Sequence, residues 1–198
     1  INFELLQIMI YKLFQHAICL TGLITLSPVL LLLAILIFVE DGSPIIYKQA
    51  RLGKDKKKFI IYKLRTMKND APQIATHEIS KKHILKLGNF IRKSKFDEFP
   101  QLLNILKGDI NFVGPRPGME SIDEIVQQRD LRNIYCIKPG ITGLSQILGV
   151  DMSNPAKLAE IDQIYVKNRS VRLNLIIFAG TFFDSPKKFL IAKFNINV

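Results

Sequence analysis

The chain has 198 residues, 48% of them hydrophobic, with 28 Lys and Arg against 17 Asp and Glu and a formal net charge of +11. That is enough for one domain with a real core, too apolar for a disordered chain, and too poor in cysteine (Cys19 and Cys136) for a disulfide scaffold. A basic domain with one apolar segment remains, and such a domain faces something acidic: nucleic acid, anionic lipid or a phosphorylated substrate.

Residues 1–16 read as a short amphipathic lead-in carrying Phe3, Leu6, Ile10, Leu13 and Phe14. Ala17 to Val39 then carries no charge, and its 23 residues suffice for a hydrocarbon core of ~30 Å. Ser27 and Pro28 interrupt this run. Proline removes a backbone donor, so a break is expected there, with the Ser27 hydroxyl as one partner for the freed groups. Three readings are open from these residues: a straight span, a helix–break–helix that enters and leaves by one face, and a buried core helix. Lys48 to Lys68 holds nine basic residues and one acid, Asp55, which places the following domain on the cytoplasmic side. The two cysteines read as unpaired thiols of a reducing compartment.

Beyond the apolar run, Ile45–Gln49 and Phe59–Leu64 are β-prone and bracket a Gly53–Lys58 turn, which predicts a hairpin. Met67 to Thr76 reads as a loop. Lys81 to Lys95 has six basic residues and no acid, with Ile84, Leu85, Leu87, Phe90 and Ile91 between them. This predicts either a basic helix on an anionic membrane surface or a solvated helix packed on the core. Phe96 to Lys107 reads as a helix with Pro100 in its first turn and Gly108 as its stop. Val113 to Gly118 is too rich in Pro and Gly for regular structure, and Lys138 to Gly143 reads as a second rigid turn. Met119–Asn133, Pro155–Arg169 and Leu173–Phe183 are expected to be helices, the last apolar enough to pack on the core or graze a bilayer. The fold class is α+β and predominantly helical. The expected division is an anchor over 1–42, a catalytic domain over 43–186 and a tail over 187–198.

The chemistry concentrates at Asp97-Glu98, adjacent carboxylates beside Pro100 at a helix start. One carboxylate of such a pair suits a divalent cation, as Mg2+ prefers oxygen, and the other can attack an electrophile; first-turn acids are also routine helix caps. Cations stand near in sequence: Lys63 and Arg65 at the end of the second strand, Arg92, and Arg116 in a Pro-Arg-Pro turn that presents it on a fixed backbone. Arginine's planar fork suits phosphate. His16, His77 and His83 form no metal-ligand array, and no P-loop, GxSxG elbow or nucleic-acid module occurs.

The string from Phe96-Asp97-Glu98-Phe99-Pro100-Gln101-Leu102-Leu103-Asn104 through Gly108-Asp109 to Val113-Gly114-Pro115-Arg116-Pro117 resembles the bacterial sugar transferases, the monotopic polyprenyl-phosphate phosphoglycosyl transferases. Ser27-Pro28, Gln49-Ala50-Arg51-Leu52-Gly53, Lys63-Leu64-Arg65-Thr66-Met67 and Lys138-Pro139-Gly140-Ile141-Thr142-Gly143-Leu144-Ser145-Gln146 agree in order, and the likeness covers roughly residues 10–185. Departures are Tyr11-Lys12-Leu13-Phe14-Gln15, where many members have Lys-Arg-x-x-Asp, Leu64 where Phe is common, and Phe99 where Leu is common. The resemblance implies a re-entrant anchor broken at Ser27-Pro28. It implies a membrane-surface catalytic domain on the cytoplasmic face of the bacterial inner membrane. It further implies transfer of a sugar-1-phosphate from a UDP-sugar to polyprenyl (undecaprenyl) phosphate. Asp97 would be the nucleophile and Glu98 would help hold Mg2+. Lys63, Arg65, Arg92 and Arg116 are the expected phosphate contacts, Thr142 a lining residue of the nucleotide pocket, and anionic lipid rather than nucleic acid the surface partner. Asp162 and Tyr165 resemble a further pattern of the family without a derivable role.

Overall fold

A computed structural model describes residues 3–71 and 83–196, and of residues 3–9 and 11 the backbone alone. The chain divides into two compact units, Ile1–Gln49 with Ile61–Leu106, and Ala50–Ile60 with Lys107–Val198.

The first unit opens with α1 (Phe3–Asp41), a 39-residue helix with Pro28 inside it. The break expected at Ser27-Pro28 is therefore corrected: the chain stays helical across it. The reason is local. Pro28 has no N–H for the carbonyl of Ile24, and the Ser27 hydroxyl donates to that same carbonyl at 2.7 Å, as one partner for a freed group should. From Lys12 to Asp41 the helix is long and apolar enough to cross a membrane, and only 11% of its apolar window is buried. Leu20, Ile24, Leu31, Leu32, Phe38 and Val39 are exposed. The last turns are different. Leu33 and Ile37 are buried in a core with Leu64, Leu85 and Ile91, so the helix is largely bare before this point, apart from the buried Gln15 and Cys19, and packed near its end.

Strands β1 (Ile46–Leu52) and β2 (Lys58–Leu64) form the expected hairpin, with β1 running on to Leu52 and a 3-10 turn over Lys54–Lys56 at the tip. Its base, 46–49 and 61–64, belongs to the first unit and its tip, 50–60, to the second. The basic helix expected over Lys81–Lys95 is reduced to α2 (Gly88–Lys93), six residues. Lys81 and Lys82 lie outside the described residues, as do Pro72 to Thr76 of the expected loop. Before α2, Ile84 bridges Met67 and the Leu85 amide donates to Thr66 O at 3.1 Å, so this stretch is extended. Leu85 and Ile91 are fully buried, which favours the packed reading over a surface helix.

The helix expected over Phe96–Lys107 is present in two forms: a 3-10 helix over Phe96–Gln101, then α3 (Leu102–Lys107). Lys95 enters it with φ 59°, and Pro100 donates nothing to the preceding turn, so the first half winds tightly. Gly108 follows with φ +79°.

In the second unit, β3 (Asn111–Val113) pairs in parallel with β4 (Gly140–Thr142), Asn111 opposite Gly140 and Val113 opposite Thr142. Gly140–Thr142 is thus a strand, not the turn expected from its sequence. Only glycine fits at 140: a Cβ there would stand 2.1 Å from the Gly114 nitrogen. Around this pair lie α4 (Asp123–Leu131), α5 (Leu144–Ile147), α6 (Pro155–Asn168), α7 (Val171–Gly180) and α8 (Asp184–Phe194). The Asn154 side chain caps α6 through the Lys157 amide at 3.1 Å, and Ser170 caps α7 through the Leu173 amide at 3.2 Å. Val113, Leu144, Ile161, Tyr165, Leu173, Ile177, Leu190 and Ile196 form one core. Leu190 and Ile196 come from the stretch read as a tail. Residues 187–194 belong to α8, so this segment is part of the packed unit.

Candidate active site

Asp97 and Glu98 occupy the first turn of the 3-10 helix, placed there by the left-handed Lys95. A non-glycine residue in that conformation costs energy, and such strain collects where a side chain must be aimed. Lys63, on β2, meets both acids. Its Nζ donates to Glu98 Oε1 at 2.7 Å and lies 4.0 Å from Asp97 Oδ2. All three side chains are less than one-fifth exposed, 17% for Lys63, 14% for Asp97 and 19% for Glu98. Beside Lys63 the amide of Tyr62 donates to Asn104 Oδ1 at 3.2 Å, and Asn104 is wholly buried on α3. That bond ties the strand bearing the lysine to the helix that follows the two acids.

Arg92, on α2, donates from Nε to Thr66 Oγ1 at 2.8 Å. The approach depends on Gly88, where a Cβ would meet Thr66 O at 2.4 Å. Burial pushes the Asp97 carboxyl above the usual aspartate range, and Glu98 adds to the rise; Lys63 and Arg92 pull against it. Burial lowers Arg92, with Asp97 opposing. A carboxylate raised by desolvation and faced by two cations is a group whose charge is short of solvent and available for reaction.

Arg65 is engaged elsewhere. Its Nη1 donates to Asp41 Oδ2 at 2.5 Å, and its Nη2 to the carbonyls of Asp41 at 3.1 Å and Gly42 at 2.6 Å. A buried cation on the last carbonyls of α1 satisfies them and opposes the negative end of the helix dipole. Asn69 adds to the same cap, its amide on Asp41 Oδ2 at 2.8 Å and its Nδ2 on Asp41 O at 2.9 Å.

Among the described residues no group of three or more His, Cys, Asp or Glu could hold a metal ion. The carboxylates of Asp97 and Glu98 still fit Mg2+ in its usual mode, one or two carboxylates with waters and substrate phosphates completing the shell. They do not fit an all-protein cage.

Arg116 and Thr142 belong to the second unit. The carbonyls of the Pro115–Gly118 turn all accept hydrogen bonds. Pro115 O receives the Gly140 amide at 2.9 Å, Arg116 O the Arg129 Nη1 at 2.7 Å, Pro117 O the Arg51 Nη1 at 3.4 Å, and Gly118 O the Leu52 amide at 3.0 Å. Thr142 Oγ1 lies 2.9 Å from Thr181 Oγ1, and its carbonyl accepts from the Gly114 amide at 2.9 Å. Asp162 accepts from Arg129 Nη2 at 2.7 Å and from the Ser145 hydroxyl at 2.8 Å, with all three residues buried. The Tyr165 hydroxyl lies 2.9 Å from Asn174 Oδ1 and 3.2 Å from Val113 O.

Thus the structure brings together Asp97, Glu98, Lys63 and Arg92, and gives Arg65 to the end of α1. Sequence reasoning passed over Thr66, Asn104 and Arg129. The first two stand inside motif strings whose other members drew attention, and Arg129 carries no local signal at all.

The Bacterial sugar transferase family model matches residues 6–188. The chain is 37% identical over 155 residues to the sugar transferase EpsL of Bacillus subtilis (strain 168), covering 78% of this chain and 76% of that protein. It is 36% identical over 177 residues to the exopolysaccharide production protein PSS of Rhizobium leguminosarum bv. phaseoli, covering 82% and 88%. It is 37% identical over 175 residues to the UDP-glucose:undecaprenyl-phosphate glucose-1-phosphate transferase of Klebsiella pneumoniae, covering 81% of this chain but only 37% of that larger protein. With the Asp97-Glu98 pair and its lysine on one side and this match over most of its length on the other, the chain belongs to the bacterial sugar transferase family.

Proposed function

We propose that the protein is a phosphoglycosyl transferase that moves a sugar-1-phosphate from a UDP-sugar to undecaprenyl phosphate and releases UMP. The observation that carries this is the desolvated Asp97 carboxylate beside a Glu98 already paired with Lys63. Relatives named for this reaction with glucose and with N-acetylgalactosamine support the substrate class.

In this reading Asp97 is the nucleophile. An Oδ of Asp97 attacks the sugar-bearing phosphorus, the bond from that phosphorus to the bridging oxygen breaks, and UMP leaves with the electron pair. An oxygen of undecaprenyl phosphate then attacks the same phosphorus of the acyl phosphate. The bond to Asp97 breaks, the carboxylate is restored, and a polyprenyl-diphosphate sugar departs. Dividing the transfer lets a water-soluble donor and a lipid acceptor react in turn with one group. Lys63 and Arg92 offset the diphosphate charge as it shifts toward the leaving UMP, and the family pattern adds Arg116 as a phosphate contact. Glu98 would help hold Mg2+, which would supply further charge neutralisation on the phosphates.

The location follows from the acceptor. The exposed apolar face of α1 needs lipid around it, and a polyprenyl phosphate keeps its head at the interface. We read α1 as a continuous helix that bends at Pro28 without ending there, re-entrant, with its N-terminus kept on the cytoplasmic face of the inner membrane. The basic hairpin region from Lys48 to Lys68 meets anionic headgroups there.

The test is UMP release by the full chain in lipid nanodiscs with Mg2+, across UDP-sugars, with and without undecaprenyl phosphate. Turnover that requires the lipid phosphate, with at most a stoichiometric burst in its absence, is the expected result. Steady release without the acceptor would overturn the two-step scheme.

A further inference from the structure

The Pro115-Arg116-Pro117-Gly118 turn is held by its carbonyls. Two of its four residues are prolines with no N–H to give, so acceptance is the main way in which this backbone can be fixed. The four donors come from three elements: Gly140 on β4, Arg129 on α4, and Arg51 and Leu52 on β1. Three of them are backbone amides or a distant guanidinium. Arg129 is the exception in kind: it is 1% exposed, and its charge is brought to a neutral carbonyl although burying a cation is costly.

That cost is met by a chain of partners. Arg129 Nη2 bonds Asp162 Oδ2 at 2.7 Å, and the other oxygen of that carboxylate receives the Ser145 hydroxyl at 2.8 Å. Asp162 is 1% exposed and Ser145 is 0% exposed. The network thus runs Ser145, Asp162, Arg129 to the carbonyl of Arg116, with its first two links buried and the last part-buried. A plain hydrophobic contact could fill this space at least as stably. Only a donor fork at this point orients the peptide from which the Arg116 side chain departs.

We propose that Arg129, oriented by Asp162 and Ser145, is a positioning residue that fixes the backbone of Arg116 and so the angle at which the Arg116 guanidinium meets a diphosphate. It acts through Arg116 and touches no substrate. The proposal rests on the reading of Arg116 as a phosphate contact, so its test has one arm that needs the reaction and one that does not.

The first arm is a double-mutant cycle on UMP release with R129K, R116A and both together in the full chain in nanodiscs. Lysine keeps the charge and loses the fork. R129K is expected to lower kcat/KM by about tenfold or more with Arg116 present and by less than about threefold in the R116A background. An equal loss in both backgrounds would mean that Arg129 serves the fold alone and would overturn the proposal. S145A, which removes one hydroxyl from the network, repeats the cycle if R129K does not fold. The second arm is hydrogen exchange of the segment 113–119. Faster exchange in R129K or S145A is the expected result, and unchanged exchange overturns the proposal whatever the kinetics. Absence of turnover by the unaltered chain on every UDP-sugar would refute the proposed function instead, leaving the exchange arm to decide whether Arg129 fixes the turn.

Discussion

The Lys63 ammonium bonds Glu98 Oε1 at 2.7 Å, a charge-assisted hydrogen bond from strand to helix. Asp97 Oδ2 lies 4.0 Å from the same nitrogen and receives less of its charge. Of two adjacent carboxylates, one is compensated and the other is left desolvated, which separates their roles. Burial holds the Asp97 carboxyl above its ordinary value, so the folded chain keeps that proton to a higher pH than the unfolded chain does. The favourable contribution is full in acid and is lost as pH rises through the raised value, so at neutral pH the ionised Asp97 counts against folding. Asp97→Asn should therefore abolish turnover, by at least ~10³-fold, while raising the melting temperature by about 1–4 °C. UMP release and thermal unfolding on the same preparation check this, and a variant both inactive and less stable would contradict it.

The same shift sets the pH profile. A nucleophile works as its anion, so kcat/KM should rise with pH through a value above the ordinary aspartate range. Lys63 lowers the Asp97 pKa and Glu98 raises it. Lys63→Met removes the first influence and exposes the second. It should move the acid limb to higher pH and cut kcat/KM by about 10–100-fold at neutrality. Profiles of the two proteins from pH 4 to 9 measure the displacement, and coincident acid limbs would show that Lys63 does not tune Asp97.

Gly88 is the contact point between α2 and the chain leaving β2. A Cβ at 88 would lie 2.4 Å from Thr66 O and 2.7 Å from Ile84 Cγ2, and the first of these is backbone that cannot swing aside. Gly88→Ala should push α2 away and lengthen the bond from Arg92 Nε to Thr66 Oγ1. The expected cost is about 1–3 kcal/mol of stability with a rise in KM for the UDP-sugar, since Arg92 is a proposed phosphate contact and not the nucleophile. Melting and Michaelis kinetics report the two effects. Unchanged KM in a folded variant would remove Arg92 from the donor site.

How far the sequence revealed this arrangement differs from residue to residue. Asp97, Glu98 and Lys63 were legible because acids at a helix start and a cation at a strand end are local patterns. Arg65 shares that strand end and the same local pattern, yet the fold brings it to Asp41, 24 residues upstream. Nothing in a local pattern records such closure. The strands β3 and β4 were missed because three residues of parallel pairing between Pro- and Gly-rich turns leave no alternation to detect. Arg129 and Asp162 stand 33 residues apart on two helices, each ordinary in its own helix, and only burial shows that they are a pair. Pro28 reads as a break because its cost is local, and the hydroxyl at Ser27 offsets that cost without ending the helix.

Pro28→Ala gives the Ile24 carbonyl back its amide donor and removes the cause of a bend. A straight α1 would carry its N-terminus across the bilayer. With Cys19 and Cys136 replaced and Phe3→Cys added, a thiol probe confined to the outside of intact cells should leave the Pro28 protein unlabelled and label the Pro28→Ala variant. Equal labelling of the two would mean that Pro28 does not decide the topology of α1.

The second unit presents exposed apolar residues of its own. Along α7, α8 and the turn between them, Val171, Leu175, Phe178, Phe182, Phe183 and Phe189 are exposed, Phe182 by 67%. Phe178 and Phe182 pack edge to face at 5.6 Å, so the aromatic row is ordered and does not fold back into the core. Lys188 and Lys193 on α8 and Arg172 on α7 add exposed cations to the same helices. Apolar rings with flanking cations suit a helix pair lying in the interface, its rings ~5–10 Å below the headgroups. The chain contains no tryptophan, so a single one is a clean reporter. Phe182→Trp in nanodiscs with brominated acyl chains should be quenched and blue-shifted. Leu131→Trp, at an 80% exposed position on α4 of the same unit, should be neither. Unquenched fluorescence at both positions would leave α1 as the means by which the protein meets the membrane and would turn the aromatic row into a surface for a protein partner, which crosslinking at Phe182 would then identify.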